Sequence, residues 1–294
     1  ILFNGKEDTK MKKKSVIDIE AVISYIENNL DGKVELDTVA RYVHYSKYYI
    51  HRMFTKTVGM TIHDYVVRRQ LTEAAKLLVF STKPIIEIAF ICGYESQPAF
   101  TVAFKAMYKI TPAEYRERQE FYPLQLRVTL HSKNVKINFS KSDIRLAKME
   151  DISAWMELVR LVIDGYPNLN ELEYIEKLKV CIEQRNALIL EKQNTVVGVM
   201  AFSYDTGSIE FMGIHPQYRN KGIQKLFLDK LIEEYIPDRE ISTTTYRKHD
   251  RADTGYRNEL MQLGFAEREL LIEFGYPTQR FVRSDHIMEV KNSD

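Results

Sequence analysis

Surplus charge, cysteine and long apolar runs are all scarce in this sequence, and each scarcity narrows what it can be. Lys and Arg number 42 against 41 Asp and Glu, for a formal net charge of +1. No global electropositive field exists, so any basic surface must be local. The two cysteines, Cys92 and Cys181, lie far apart without metal-ligand spacing. They read as reduced, buried thiols of a cytoplasmic protein, and no metal site is expected. No apolar run approaches the length of a membrane span, and the first residues lack a signal-peptide core. What is present is ordinary for a soluble protein: 45% hydrophobic and 28% charged residues. At 294 residues the chain is long enough for two domains, each with its own core.

Two copies of one pattern occupy residues 36–116. The first is LDTVARYVHYSKYYIHRMFTK (Leu36 to Lys56) and the second IIEIAFICGYESQPAFTVAFK (Ile85 to Lys105). In each, an apolar stripe including Val39 and Ala40, or Ile88 and Ala89, gives way to a turn. A Ser then opens a second helix, Ser46 or Ser96, whose oxygen can satisfy backbone N–H groups that lack partners. Helix pairs of this kind place a helix in the DNA major groove.

Around the pairs, Val16 to Leu30 predicts an amphipathic helix ended by Asp31-Gly32. A long helix is expected from about Thr61 to Phe80, with Arg68, Arg69 and Lys76 on its polar face. Thr111-Pro112 starts a last short helix. LQLRVTL and VKINF then alternate with the two-residue period of strands and suggest a hairpin linker over 121–142. From Ile144 strands and helices mix. IRLA is a strand, SAWMELVRLVI and EYIEKLKVCIEQ are helices, and ALILEK, VVGVMAFSY and SIEFMGIH are consecutive strands. A helix from about Gly222 to Tyr235, strand EISTTTY, helix GYRNELMQL and strands around ELLIEF and FVRSDHIMEV follow. The expected architecture is multidomain: an all-α tandem helix-turn-helix domain (15–120), the linker, and an α/β domain with a central mixed sheet (143–294). Residues 1–14, with Met11 ahead of Lys12-Lys13-Lys14, are expected to be a disordered tail or foreign to the native start. A basic tail on DNA phosphates is the sharper alternative.

The run SKYYIHRMFTK (Ser46 to Lys56), Gly59, Tyr65, Arg69, Ala74, Leu77, Leu78, then Ile88, Ala89, Gly93, Tyr94, Ser96, Phe100, Phe104, Lys105 and TPAEYR (Thr111 to Arg116) resemble the AraC/XylS family of transcription regulators over about residues 15–118. The resemblance implies two helix-turn-helix units on one connecting helix, reaching successive major-groove segments of a double-stranded DNA operator in a bacterial-type regulator. Periodicity names the contacts. Ile50, Met53 and Phe54 point inward, leaving Lys47, Tyr48, His51, Arg52, Thr55 and Lys56 outside. Arg52 can bridge a guanine's two acceptors and His51 can donate to a base or phosphate. Ser46 and Lys47 suit phosphates. In the second copy Phe100, Ala103 and Phe104 face the core, leaving Gln97, Pro98, Thr101, Val102 and Lys105 exposed. Gln97 suits adenine. Val102 stands where many family members carry a long polar side chain, so the second unit is expected to read fewer bases. Arg68, Arg69 and Lys109 are also expected on the reading side.

The chemical centre of the second half is SIEFMGIHPQYRNKGIQKLFLDKLIEEY, Ser208 to Tyr235. A strand ends at His215-Pro216, and Arg219 to Gln224 leads into an amphipathic helix whose first N–H groups form a natural pyrophosphate cradle. Gly222 permits close approach, while Arg219 and Lys221 add positive charge. This segment and the strand order resemble the GNAT N-acetyltransferase superfamily over roughly residues 142–290. The family loop R/Q-x-x-G-x-G/A matches Arg219-Asn220-Lys221-Gly222-Ile223-Gln224 except at Gln224, which replaces a small residue. The resemblance implies acetyl-CoA, or another acyl-CoA, along Met212, Gly213 and Ile214 and over residues 219–224. Asp253 takes the place of a cofactor-binding Asn. Glu210 is the candidate base, and Tyr256, one turn before Leu260 at the family's tyrosine position, the candidate acid. Three functional readings follow: a regulator that senses an acyl-CoA or other small effector, an active N-acetyltransferase fused to a DNA-binding module, and a fold kept as an oligomerisation or partner surface.

Overall fold

The computed structural model describes residues 19–130, 138–162, 170–219, 221–273 and 276–284. The tail over 1–14, the turn of the expected hairpin and most of its second strand lie outside the described residues. So does the end of the last expected strand. The chain divides into two compact units. The first is Ile1–Asn138 with Arg160–Tyr166 and Pro216–Lys221; the second is Phe139–Val159, Pro167–His215 and Gly222–Asp294.

In the first unit, helix α1 covers residues 19–27. It is followed by α2 (Leu36–Tyr42), α3 (Lys47–Val58), α4 (Ile62–Phe80), α5 (Ile85–Ile91), α6 (Gln97–Tyr108) and α7 (Pro112–Arg118). Ser or Thr caps the start of α3, α4, α6 and α7, whereas α2 and α5 start after Glu35 and Pro84 without a side-chain cap. The hydroxyl of Ser46 accepts from Tyr49 N–H and that of Ser96 from Ala99 N–H, each at 3.3 Å. Thr61 caps α4, and Thr111 with Glu114 forms a capping box on α7. The apolar stripe of α1 (Ile19, Val22, Ile23, Ile26) is buried with Val39, Ile50, Phe54, Tyr65 and Val66. The second pair closes on aromatic rings, with Phe104 stacked on Tyr108 at 4.4 Å and edge-on to Tyr115 at 5.3 Å.

Two expectations for this unit are corrected. Arg68 and Arg69 are not on a solvated face; they are 2% and 7% exposed. The Arg69 guanidinium donates to both Glu27 oxygens at 2.8–2.9 Å, to Glu73 at 2.9 Å and to the Gln125 carbonyl at 3.1 Å. A buried cation is tolerable because its donors are met. The segment LQLRVTL is not a strand within the described residues. It is an extended strap on α4. Thr72 Oγ1 accepts from Leu124 and Gln125 N–H (3.1 and 3.2 Å), and the Tyr65 hydroxyl accepts from Val128 N–H at 3.3 Å. Leu124, Val128 and Leu130 are buried. Its alternation is real, but side-chain hydroxyls meet the N–H groups of Leu124, Gln125 and Val128.

The second unit holds β1 (Ile144–Leu146), α8 (Ile152–Val162, which runs past the unit's edge), α9 (Glu171–Glu183), β2 (Ala187–Lys192), β3 (Thr195–Phe202) and β4 (Ile209–Ile214). Then come α10 (Ile223–Lys230), a π-turn over Leu231–Tyr235, β5 (Ile241–Tyr246), α11 (Tyr256–Gln262), β6 (Ala266–Glu273) and β7 (Tyr276–Arg283). Strands β1-β2-β3-β4 pair antiparallel in sequence order, and a second antiparallel sheet runs β5-β7-β6. Gln193 and Asn194, both left-handed (φ 53° and 60°), make the expected turn between β2 and β3. The sheets meet at one parallel bridge, Ser208 to Ser242, supported by Ser242 N–H to Gly207 O at 3.1 Å and Thr243 Oγ1 to Ile209 O at 3.1 Å. Beyond it β4 pairs with β3 and β5 with β7, and no further β4–β5 ladder pair occurs among the described residues. The expected mixed sheet is therefore two antiparallel sheets joined at a splayed parallel seam.

Candidate functional site

In the helical unit, α3 and α6 expose most of the side chains that periodicity leaves outside, but Thr55, expected outside, is half-buried with its hydroxyl oxygen out of solvent. Ile50 and Phe54 are fully buried on α3, as are Phe100 and Phe104 on α6, while Met53 and Ala103 are half-buried. Ser46, Lys47, Tyr48, His51, Arg52 and Lys56 are exposed, Tyr48 most of all at 79%. Among the described residues His51, Arg52 and Lys56 have no hydrogen-bond or ion-pair partner, so their donors are free for a ligand. Lys47 faces Asp37 at 3.4 Å and the Tyr48 ring at 5.9 Å. An exposed pair of this kind is worth about 1 kcal/mol or less and does not withhold Lys47 from a phosphate. On α6, Gln97, Pro98, Val102 and Lys105 are exposed; Thr101 and the capping Ser96 are half-buried. Val102, 67% exposed, presents methyl groups where α3 presents cations. The two helices are alike in frame and unlike in chemistry. Lys109 is half-buried in the left-handed C-cap of α6, with its Nζ on the Ala106 carbonyl at 2.9 Å.

In the α/β unit, Glu210 is the extra residue of a β-bulge. Ala201 pairs with Phe211 and Phe202 with Ile209, leaving Glu210 unmatched. Bulges re-aim side chains and gather near functional sites. The Glu210 side chain is exposed. Phe211 meets the Tyr174 ring edge-on at 5.9 Å, and the Tyr174 hydroxyl accepts from Trp155 Nε1 at 3.1 Å. Burial pushes the Tyr174 hydroxyl well above the usual tyrosine range, with Cys181 and Glu210 adding to it. Burial and the Glu210 charge likewise raise the Cys181 thiol. The residues framing Glu210 carry no motif of their own; only α9 packing beside β4 reveals them.

Met212 is half-buried, and Gly213 and Ile214 are buried on β4. Arg219 is half-buried, Lys221 exposed, and Asn220 lies outside the described residues. Gly222 is the N-cap of α10 at φ +72°, a left-handed backbone that a side chain would strain, and space around its α-carbon is open. Gly222 offers no side-chain cap, and among the described residues no side chain is seen to accept from the first N–H groups of α10, the groups a phosphate cradle requires. Ile223 is buried. The Gln224 side chain reaches Glu259 of α11, Nε2 to Oε2 at 2.6 Å. Asp253 accepts from Gly255 N–H (3.0 Å) and Tyr256 N–H (2.9 Å), which makes it the anchor of the α11 start. Tyr256 is half-buried, and its hydroxyl is raised by burial and then by Glu259. Leu260 is fully buried. Among the described residues no His/Cys/Asp/Glu group fit for a metal occurs, and no helix is long and apolar enough to cross a membrane.

Known proteins match both halves. A helix-turn-helix domain model matches residues 39–118, and an acetyltransferase (GNAT) domain model matches residues 169–273. The transposon Tn10 TetD protein of Escherichia coli is 42% identical over 101 residues, 34% of this chain and 73% of TetD. The HTH-type transcriptional activator AarP of Providencia stuartii is 38% identical over 98 residues, 33% of this chain and 73% of AarP. The regulatory protein SoxS of Escherichia coli K12 is 37% identical over 100 residues, 34% of this chain and 94% of SoxS. The chain thus belongs to the AraC/XylS family of DNA-binding transcription regulators and carries a GNAT acetyltransferase domain in its second half.

Proposed function

We propose that the GNAT-type half binds acetyl-CoA or a related acyl-CoA as the effector of a sequence-specific regulator. The carrying observation is the uncapped, glycine-led start of α10, in a domain whose strands β4 and β5 join only at their beginnings. The N–H groups of Ile223 and Gln224 would hold the pyrophosphate beside Gly222. The backbone of Met212, Gly213 and Ile214 would hold the pantetheine arm. Acetyl-CoA fails the role if it neither raises the melting temperature nor changes affinity for a DNA site selected from a random pool.

On the DNA side, His51 and Arg52 of α3 carry most of the base discrimination, while α6 anchors and orients through Lys105 and Gln97. Replacing Arg52 with Ala should cost about 1–3 kcal/mol on the selected site and relax preference at one base position. Uniform loss across all sequences would make Arg52 a phosphate contact instead.

Turnover is the second reading, favoured by the bulge that exposes Glu210. Acetyl-CoA would supply the thioester carbonyl. Glu210 would take the proton of an acceptor amine, and the Tyr256 hydroxyl would protonate the departing thiolate. Sensing ranks first because Leu260, buried in α11, stands where the acetyltransferase pattern has its tyrosine. Thiol release with a panel of amines, abolished by Glu210→Gln, would reverse that order.

A further inference from the structure

Helices α3 and α6 share one frame, and that frame puts an apolar edge on α6 where α3 carries donors. Each is capped by a serine, Ser46 or Ser96, that accepts from the N–H three residues on. Each buries the residues four and eight places after its cap, Ile50 and Phe54 in α3, Phe100 and Phe104 in α6. Counted from the caps, Pro98 takes the place of Tyr48 and Val102 the place of Arg52. Pro98 is exposed and Val102 is 67% exposed, and their spacing of one turn puts them on one side of α6. Neither side chain can donate or accept a hydrogen bond. Both are stiff, Val102 through branching at its β-carbon and Pro98 through its ring, so a contact costs them little rotamer freedom.

We propose that Val102, with Pro98 beside it, reads the C5-methyl group of thymine, so that the second helix pair selects thymine at one or two positions of the DNA site. The thymine methyl is the only alkyl group that a base pair presents in the major groove. Adenine, guanine and cytosine present polar edges there, which an aliphatic side chain would desolvate without replacing their hydrogen bonds. Val102 at the place of Arg52 therefore selects by burial of methyl groups, whereas Arg52 selects by donating. Lys105, exposed one turn further along α6, supplies charge for the phosphates beside the contact. The inference rests on the major-groove reading of α3 and α6, and it gives α6 a base preference of its own beyond anchoring.

The test titrates the full chain with a DNA duplex selected from a random pool, in which each dT is replaced in turn by dU. That change removes one methyl group and leaves every hydrogen-bonding edge as it was. Wild type should lose about threefold to tenfold in affinity at one or two positions, the scale of one buried methyl group. Those positions should lie where Arg52→Ala leaves base preference intact. Val102→Ala, at an exposed position and first shown by melting to be folded, should abolish the preference for dT over dU there and keep it at any other thymine. At the same positions 5-methyl-dC should bind better than dC in wild type and no better in Val102→Ala. If no dU weakens binding outside the positions that Arg52→Ala relaxes, or if Val102→Ala stays as sensitive to dU as wild type, thymine reading by Val102 is overturned. Base preference lost on Arg52→Ala would in that case leave the DNA reading of α3 standing. If the folded chain selects no DNA site, both fall.

Discussion

Single residues at equivalent places in the two helix pairs answer to different constraints. The turn of the first pair puts His44 in the left-handed region at φ 57°, and that of the second puts Gly93 there at φ 78°. A β-carbon on Gly93 would approach Gln70 Nε2 to 2.8 Å and the Gly32 carbonyl oxygen to 3.0 Å. Gln70 is committed there, donating to the Leu30 and Gly32 carbonyls. Residue 93 therefore must be glycine, whereas residue 44 only tolerates its strain. The left-handed backbone costs an ordinary residue about 1–2 kcal/mol, part of which glycine loses again through unfolded-chain entropy. His44→Gly should stabilise the chain by about 0.5–1 kcal/mol, read as a higher urea midpoint, and Gly93→Ala should lower it. A lower midpoint for His44→Gly would mean that the imidazole supports the turn. At this scale local signals were legible. Ser46 and Ser96 cap as their positions before apolar stripes imply, because a cap needs only its own first turn. Arg68 and Arg69 were not legible, because their burial is decided by Glu27 and Gln125, partners distant in sequence.

Among the elements, helix and strand existence followed hydrophobic period, and pairing did not. β2, β3, β4 and β5 fall where their apolar runs do, but no periodicity predicts that β7 enters between β5 and β6. β7 also starts at Tyr276, well before the FVRSDHIMEV run that signalled it. The strap over 121–130 shows the same limit, since its strand-like alternation says nothing of what its amides bind. Thr72 is its hub, donating to the Arg68 carbonyl at 2.8 Å while accepting two strap N–H groups. Thr72→Val keeps the shape and removes all three bonds, leaving buried amides without partners. It should destabilise the chain by about 2 kcal/mol or more. Urea unfolding of the full chain measures it, and a change under 0.5 kcal/mol would mean that the strap is held by its apolar side chains alone.

Over the whole molecule, positive and negative charge nearly cancel, so the salt dependence of DNA binding must come from local basic surface, for which the proposed source is the reading helices. If Lys47, Arg52, Lys56 and Lys105 each neutralise one phosphate, log affinity should fall with log salt at a slope of about −3 to −4. Lys56→Ala should flatten that slope by about 0.9. A slope unchanged in that variant places Lys56 off the DNA. The family and the two-part organisation were legible in motifs, whereas a pair such as Gln224 and Glu259 is brought together only by the fold. The strap carries one more implication. A fragment cut at residue 120 would keep every reading residue yet strip Tyr65 and Thr72 of their amide partners. Exchange of the second half for another domain, in the laboratory or in evolution, should succeed only at a splice beyond Leu130.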